Sequence, residues 1–108
     1  MQRQALPPDF EETRDTTAQD LESVPDINLD AVHMLERCMA EYHIAEVDYA
    51  EPDDRPATIR IRPAFIRTSK ARNLVAWGFP VGADHWIDLR LDRIRDVRDT
   101  GEVFQPRW

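Results

Sequence analysis

The sequence is poor in the residues that build covalent staples, metal centres and phosphate loops. Cys38 is the only cysteine among 108 residues, so no internal disulfide can form. It reads as a small buried helix residue. Glycine is scarce, with Gly78, Gly82 and Gly101 the three in the chain, and no Gly-rich phosphate loop is present. There is no His-Glu-x-x-His run and no pair of cysteines. His33, Cys38 and His43 recur every five residues, which sets successive members about 140° apart around a helix. They cannot converge on one metal from that helix, so no metal site is expected. His85 reads as a turn residue. With so few chemical groups arranged for catalysis, the chain is expected not to be an enzyme and to carry no cofactor. It has no apolar run of about 18 residues, so no membrane partner is expected. Residues 1–8 lack the apolar centre of a secretory signal, which points to the cytoplasm.

Lysine is nearly missing as well. Lys70 stands alone against thirteen arginines. Arginine suits bidentate anion binding, although genomic base composition produces the same ratio. The net charge of −7 conceals a division. Residues 1–54 carry three arginines against fifteen acids, a net −12, and residues 55–108 carry eleven basic residues against six acids, a net +5. Local potential governs encounter more than the total does. The basic half therefore keeps nucleic acid among the partners, beside the simpler reading that both halves are solvated surface.

Residues 1–27 hold Pro7, Pro8, Pro25 and many acids, with Leu6, Phe10, Leu21 and Val24 as the few apolar positions. Such a stretch buries too little to offset its ordering entropy. It is expected to be a disordered acidic arm, with a transient helical turn over Thr17 to Ser23. Residues 28–43 read as one helix. Asn28 is its N-cap, Asp30 opposes the macrodipole, and Leu29, Val32, Leu35, Met39 and Tyr42 form its apolar face. From Ile44 onward the period changes to that of strands. Val47 and Tyr49 alternate with acids, and residues 51–56 are a turn. Ile59 and Ile61 then share one face while Arg60 and Arg62 share the other. Pro63 marks an edge, bulge or bend. Further strands are expected at Asn73–Gly78, Trp86–Leu91 and Arg93–Arg98, with a turn at Thr100-Gly101. The fold class expected is α+β, mainly β: one N-terminal helix, then a small five-stranded barrel over the remainder of residues 28–108.

From Leu29 to Phe104 the order of elements and several residue patterns resemble the WYL domain. The leading helix ends in a Val-x-Tyr strand, Val47 to Tyr49. A strand runs into a proline at Ile59-Arg60-Ile61-Arg62-Pro63. The naming strand is matched by Arg72-Asn73-Leu74-Val75-Ala76-Trp77. Arg90-Leu91-Asp92-Arg93-Ile94 reproduces the family's signature intact, and Thr100-Gly101-Glu102-x-Phe104 matches its ending. The resemblance implies an Sm-like or SH3-like barrel. It also implies a bacterial regulatory module that senses nucleic-acid fragments or nucleotides and modulates a partner. Four residues depart from the pattern. Arg72-Asn73-Leu74 keeps only the leucine of Trp-Tyr-Leu, and Ile59 and Ile87 stand where the family commonly places arginines of its ligand patch.

The function expected is a stand-alone WYL-like sensor that binds single-stranded nucleic acid or a nucleotide-like anion. Phosphate neutralisation needs clustered cations and stacking needs exposed rings. Arg60, Arg62, Arg67, Lys70, Arg72 and Arg90 are the candidate cations, and Trp86 is the candidate exposed ring. Tyr49 and Trp77 read as core residues. Arg93, Arg95 and Arg98 alternate with Asp92, Asp96 and Asp99 as self-paired surface charge, and Asp92 and Arg93 read as turn-fixing residues. The alternative is a protein-interaction or assembly module whose acidic arm imitates nucleic acid and covers the basic half. A protein partner is expected in either case, since no DNA-binding domain accompanies the barrel. A homodimer formed through an open sheet edge is also expected.

Overall fold

A computed structural model of the chain describes residues 6, 7, 10–106 and 108. The expectation of disorder for residues 1–5, 8 and 9 lies outside the described residues. The helix is where its pattern places it. Helix α2 spans Leu29–Glu41, after a short α1 over Ala18–Glu22. The Asn28 side chain accepts the Ala31 N–H at 3.2 Å and donates to the Arg95 carbonyl at 3.0 Å, so one residue caps the helix and ties it to the sheet. Tyr42 ends α2 in the left-handed conformation, φ 55°. The buried stripe is Ala31, Val32, Leu35 and Cys38, not the wider face expected. Leu29 and Tyr42, at the two ends of that face, are exposed.

The strands are β1 Thr13–Asp15, β2 His43–Ala50, β3 Pro56–Ser69, β4 Leu74–Pro80, β5 Ile87–Arg90 and β6 Ile94–Val103. They form one six-stranded sheet in the order β5-β4-β3-β2-β6, and β1 pairs with the end of β3. Every described pairing is antiparallel. The six strands are not closed into a barrel, where a small five-stranded barrel was expected. β5 is four residues long, and a 3-10 turn at Leu91–Arg93 carries the chain from β5 at one edge to β6 at the other. Pro63 does not end its strand. Its ladder shifts register between Pro63 and Phe65, and β3 continues past this bulge to Ser69. The expected turn at Thr100-Gly101 lies inside β6, where Gly101 has φ 74° and the β2–β6 register shifts opposite His43 and Ala45.

One face of the sheet meets α2. Ala45, Val47 and Tyr49 of β2, Ile61 of β3, Leu74 and Ala76 of β4, Leu89 of β5, and Ile94 and Val97 of β6 join the helix stripe in one core. The other face of β2 and β6 is charged. Arg98 reaches Glu46 at 2.8 Å, Asp48 at 2.9 Å and Asp96 at 3.0 Å. The expectation of pairing within residues 92–99 thus holds for Asp96, but two of the partners of Arg98 come from β2.

Within residues 10–27, the second part of the arm expected to be disordered, the described elements are short. A 3-10 turn at Phe10–Glu12 leads into β1, and a reciprocal Thr17–Asp20 capping box starts α1. Leu21, Val24 and Ile27 pack against the core. The few apolar side chains of this segment cover a surface that the helix and sheet already supply.

Candidate functional site

The residues singled out in the sequence fall on two surfaces. The first is the face of β3 and β4 turned away from α2. Arg62, before the bulge, stands opposite Phe79, and beyond it Phe65 stands opposite Trp77 and Arg67 opposite Val75. Trp86, from the segment between β4 and β5, and Trp108 close over these rings. Ring centroids are 4.3 Å apart for Phe79 and Trp86, 5.8 Å for Phe65 and Trp86, and 5.7 Å for Trp86 and Trp108. These spacings are those of favourable tilted aromatic pairs. Phe79 is wholly buried. Trp86 is therefore a half-buried member of an aromatic cluster, not the exposed ring expected. Its neighbours Phe65, Phe79 and Trp108 are far apart in sequence, so no local pattern gave them away.

Both arginines on this face are held by the protein itself. Arg62 donates to the carbonyls of Pro80 at 3.1 Å and Ala83 at 2.5 Å, and its guanidinium lies 5.7 Å from the Phe79 centroid. Arg67 lies 4.3 Å over the Phe10 ring and donates to the Thr13 hydroxyl at 3.0 Å, the Thr13 carbonyl at 2.7 Å and Asp15 at 2.5 Å. A stacked ring together with a carboxylate is the arrangement that a base and a phosphate would present. The remaining candidates lie elsewhere. Arg60 is exposed and paired with Glu102. Lys70 and Arg72 are exposed at the β3–β4 turn, where Arg72 has φ 62°.

The second surface is a cleft of about 530 Å³ beside β5. Its lining includes Tyr49, Ile59, Trp86, Ile87, Asp88, Leu89, Arg90 and Arg93, together with Glu51 and Pro52. Here the fold gathers Trp86 and Arg90 with Ile59 and Ile87, the two positions at which the WYL resemblance leads one to expect arginine. Tyr49 is 7% exposed and its hydroxyl accepts the Arg90 N–H at 3.0 Å, which pins β5 to the core. Burial raises the Tyr49 pKa, so its hydroxyl keeps its proton. Arg90 pairs with Asp92 at 2.9 Å. Arg93 donates to the backbone carbonyls of Glu51 at 3.0 Å and Ala50 at 3.4 Å, a turn-fixing role of the kind expected from the sequence. The cleft thus combines an apolar floor, an aromatic wall and a rim bearing both signs of charge. That suits a flat, partly apolar ligand with a polar end better than a bare anion.

No protein-family model and no curated protein sequence matches the chain. Among solved structures the fold is similar to part of Proteasome accessory factor B/C (PafBC) of Arthrobacter aurescens, with a TM-score of 0.65 and 12% identity. The likeness covers 85% of this chain and 13% of that one, and at this identity it is a likeness of fold. No helix among the described residues is long and apolar enough to cross a membrane.

Proposed function

We propose that the chain is a WYL-like regulatory or sensor module that takes single-stranded nucleic acid or a nucleotide-like ligand into the cleft beside β5. The reading rests on one observation. Trp86 and Arg90 share that cleft with Ile59 and Ile87, the two positions of the resembled family's ligand patch. The likeness to part of Proteasome accessory factor B/C is one of fold and agrees with this reading at that level. A base would stack on Trp86, worth about 1–3 kcal/mol, while Arg90 exchanges Asp92 for a phosphate. With isoleucine at 59 and 87 the site favours the base over the phosphate, so the salt dependence of binding is shallow.

Fluorescence anisotropy of short single-stranded DNA and RNA and of free nucleotides, at two salt concentrations, tests this. Saturable binding that weakens in Arg90→Ala and strengthens in Ile87→Arg is expected. A folded protein that binds none of these probes would refute it.

A second reading is favoured by the Arg67 contacts. Phe10 and Asp15 occupy that guanidinium as a base and a phosphate would, so the acidic N-terminal segment acts as a nucleic-acid mimic within a protein-interaction module. Asp15→Asn combined with Phe10→Ala then strengthens oligonucleotide binding at low salt, and unchanged affinity counts against it. We propose Arg60, Arg62, Lys70 and Arg72 as further contacts for the oligonucleotide once this segment is displaced. A homodimer would pair the open β5 or β6 edges, and light scattering of the purified chain would detect it.

A further inference from the structure

Where α2 ends, three ligand-type side chains from three elements converge outside the surfaces described above. Glu41 is the last residue of α2, His43 is the first residue of β2, and Asp99 lies in β6. The left-handed Tyr42 between Glu41 and His43 turns the chain back on itself. The register shift in the β2–β6 ladder falls beside His43, and Gly101 follows Asp99 at φ 74°. Bulges of this kind re-aim side chains. His43 Nδ1 lies 3.3 Å from Glu41 Oε2 and 3.0 Å and 3.2 Å from the two Asp99 oxygens. All three ligand atoms fall within 4.8 Å of one another.

One imidazole nitrogen carries at most one proton and can share it fully with one carboxylate, yet two carboxylates are drawn to it. A divalent ion satisfies all three groups together. Around a tetrahedral zinc with bonds of about 2.0 Å, ligand atoms stand about 3.3 Å apart. The separations of Nδ1 from Glu41 Oε2 and from Asp99 Oδ2 are 3.3 Å and 3.2 Å. Asp99 Oδ1 meanwhile accepts the Gly101 N–H at 2.8 Å, an outer hydrogen bond that would fix the carboxylate for its second oxygen to ligate. His43 and Asp99 are about one-fifth exposed, so the site is sheltered yet reachable. Arg37 is the nearby cation, 3.8 Å from the other Glu41 oxygen, Oε1, and leaves Oε2 to the site. We infer that Glu41, His43 and Asp99 form a binding site for a zinc-class divalent ion, with a fourth position open to water or to a ligand atom from outside. Reasoning along one helix missed this site, because Asp99 lies 56 residues beyond His43 in the chain.

The test is titration of the full chain, freed of metal with a chelator, with zinc, cobalt and magnesium. The readouts are metal stoichiometry by native mass spectrometry and thermal unfolding. One zinc per chain is expected, with a rise in unfolding temperature that chelator reverses. Cobalt should give the visible absorption of a tetrahedral site. Asp99→Asn and His43→Gln should abolish both signals, and Glu41→Gln should weaken zinc binding about 10- to 100-fold. Should His43→Gln fail to fold, the exposed Glu41→Gln together with Asp99→Asn decides the matter. Absence of zinc binding overturns the inference, and so does zinc binding that is unchanged in Asp99→Asn and His43→Gln, or in Glu41→Gln combined with Asp99→Asn. A magnesium response equal to that of zinc overturns it too, since it would mean that oxygen ligands alone suffice.

Discussion

Replacing Gly78 by alanine should destabilise the protein by about 2 kcal/mol through a collision with backbone. Gly78 lies in β4 opposite Pro63, where the ladder is about to shift register. A Cβ there would stand 2.5 Å from the Arg62 carbonyl oxygen and 2.9 Å from Cγ1 and Cδ1 of Ile61. Non-bonded carbon atoms pack best at about 3.5–4.0 Å, so the surroundings must yield by up to 1 Å. Ile61 is 1% exposed and fully packed, and the Arg62 carbonyl belongs to a strand fixed on both sides. Overpacking of this kind costs about 1–3 kcal/mol, and a backbone obstacle belongs at the upper end. The lost freedom of glycine in the unfolded chain returns about 0.4–1 kcal/mol. For a domain of this size the net change lowers the unfolding temperature by roughly 8–16 °C. Urea unfolding followed by circular dichroism measures it directly, with the midpoint falling and the slope unchanged. A midpoint equal to or above that of the parent would refute the reasoning, because it would mean that β3 and β4 separate at the bulge without cost.

Three further outcomes are expected. The Asp20 carboxyl is held below the ordinary range by Arg14 and the Thr17 N–H, Asp48 by Arg98 and Thr58, and Asp99 by the Gly101 N–H and His43. Folded pKa values below the unfolded value of about 3.9 contribute stability that is present above that pH and is lost as pH falls. The urea midpoint should therefore decline steadily from pH 5 downward, and a midpoint that is flat or rises on acidification would contradict these pairings. Tyr49→Phe leaves the Arg90 N–H without its acceptor and should cost about 1–3 kcal/mol by chemical denaturation. The same change should speed amide exchange in β5 ahead of the rest of the sheet, and uniform exchange would argue against a pinning role. Asn28→Ala removes both the helix cap and the bond to Arg95, and should cost about 1–2 kcal/mol. Retention of full stability would show that water caps α2 equally well.

Local patterns in the sequence were enough to place much of the secondary structure. The Asn28 cap and the three- and four-residue spacing located α2, since a helix reads its own neighbours. Strict alternation at Ile59 to Arg62 located β3 and its two faces. Pro63 announced an irregularity, but whether it would end the strand or bend it depended on β4 being alongside, with Gly78 leaving room. Trp86, Ile59, Ile87 and Arg90 could each be named in advance, because the signature runs and their departures are local. Their meeting in one cleft could not, because the cleft exists only once β5 docks on Tyr49. The same limit explains the N-terminal segment. Its composition argues against independent structure, while the contacts of its described part are with β3 and, through Phe10, with Arg67. Composition, charge division and element order were thus determined by the sequence itself, through forces that act between neighbours along the chain. The open sheet edges, the internal partners that hold Arg62 and Arg67, and the convergence of Glu41, His43 and Asp99 were decided by tertiary structure alone. Each of these depends on residues tens of positions apart, which periodicity and propensity do not register.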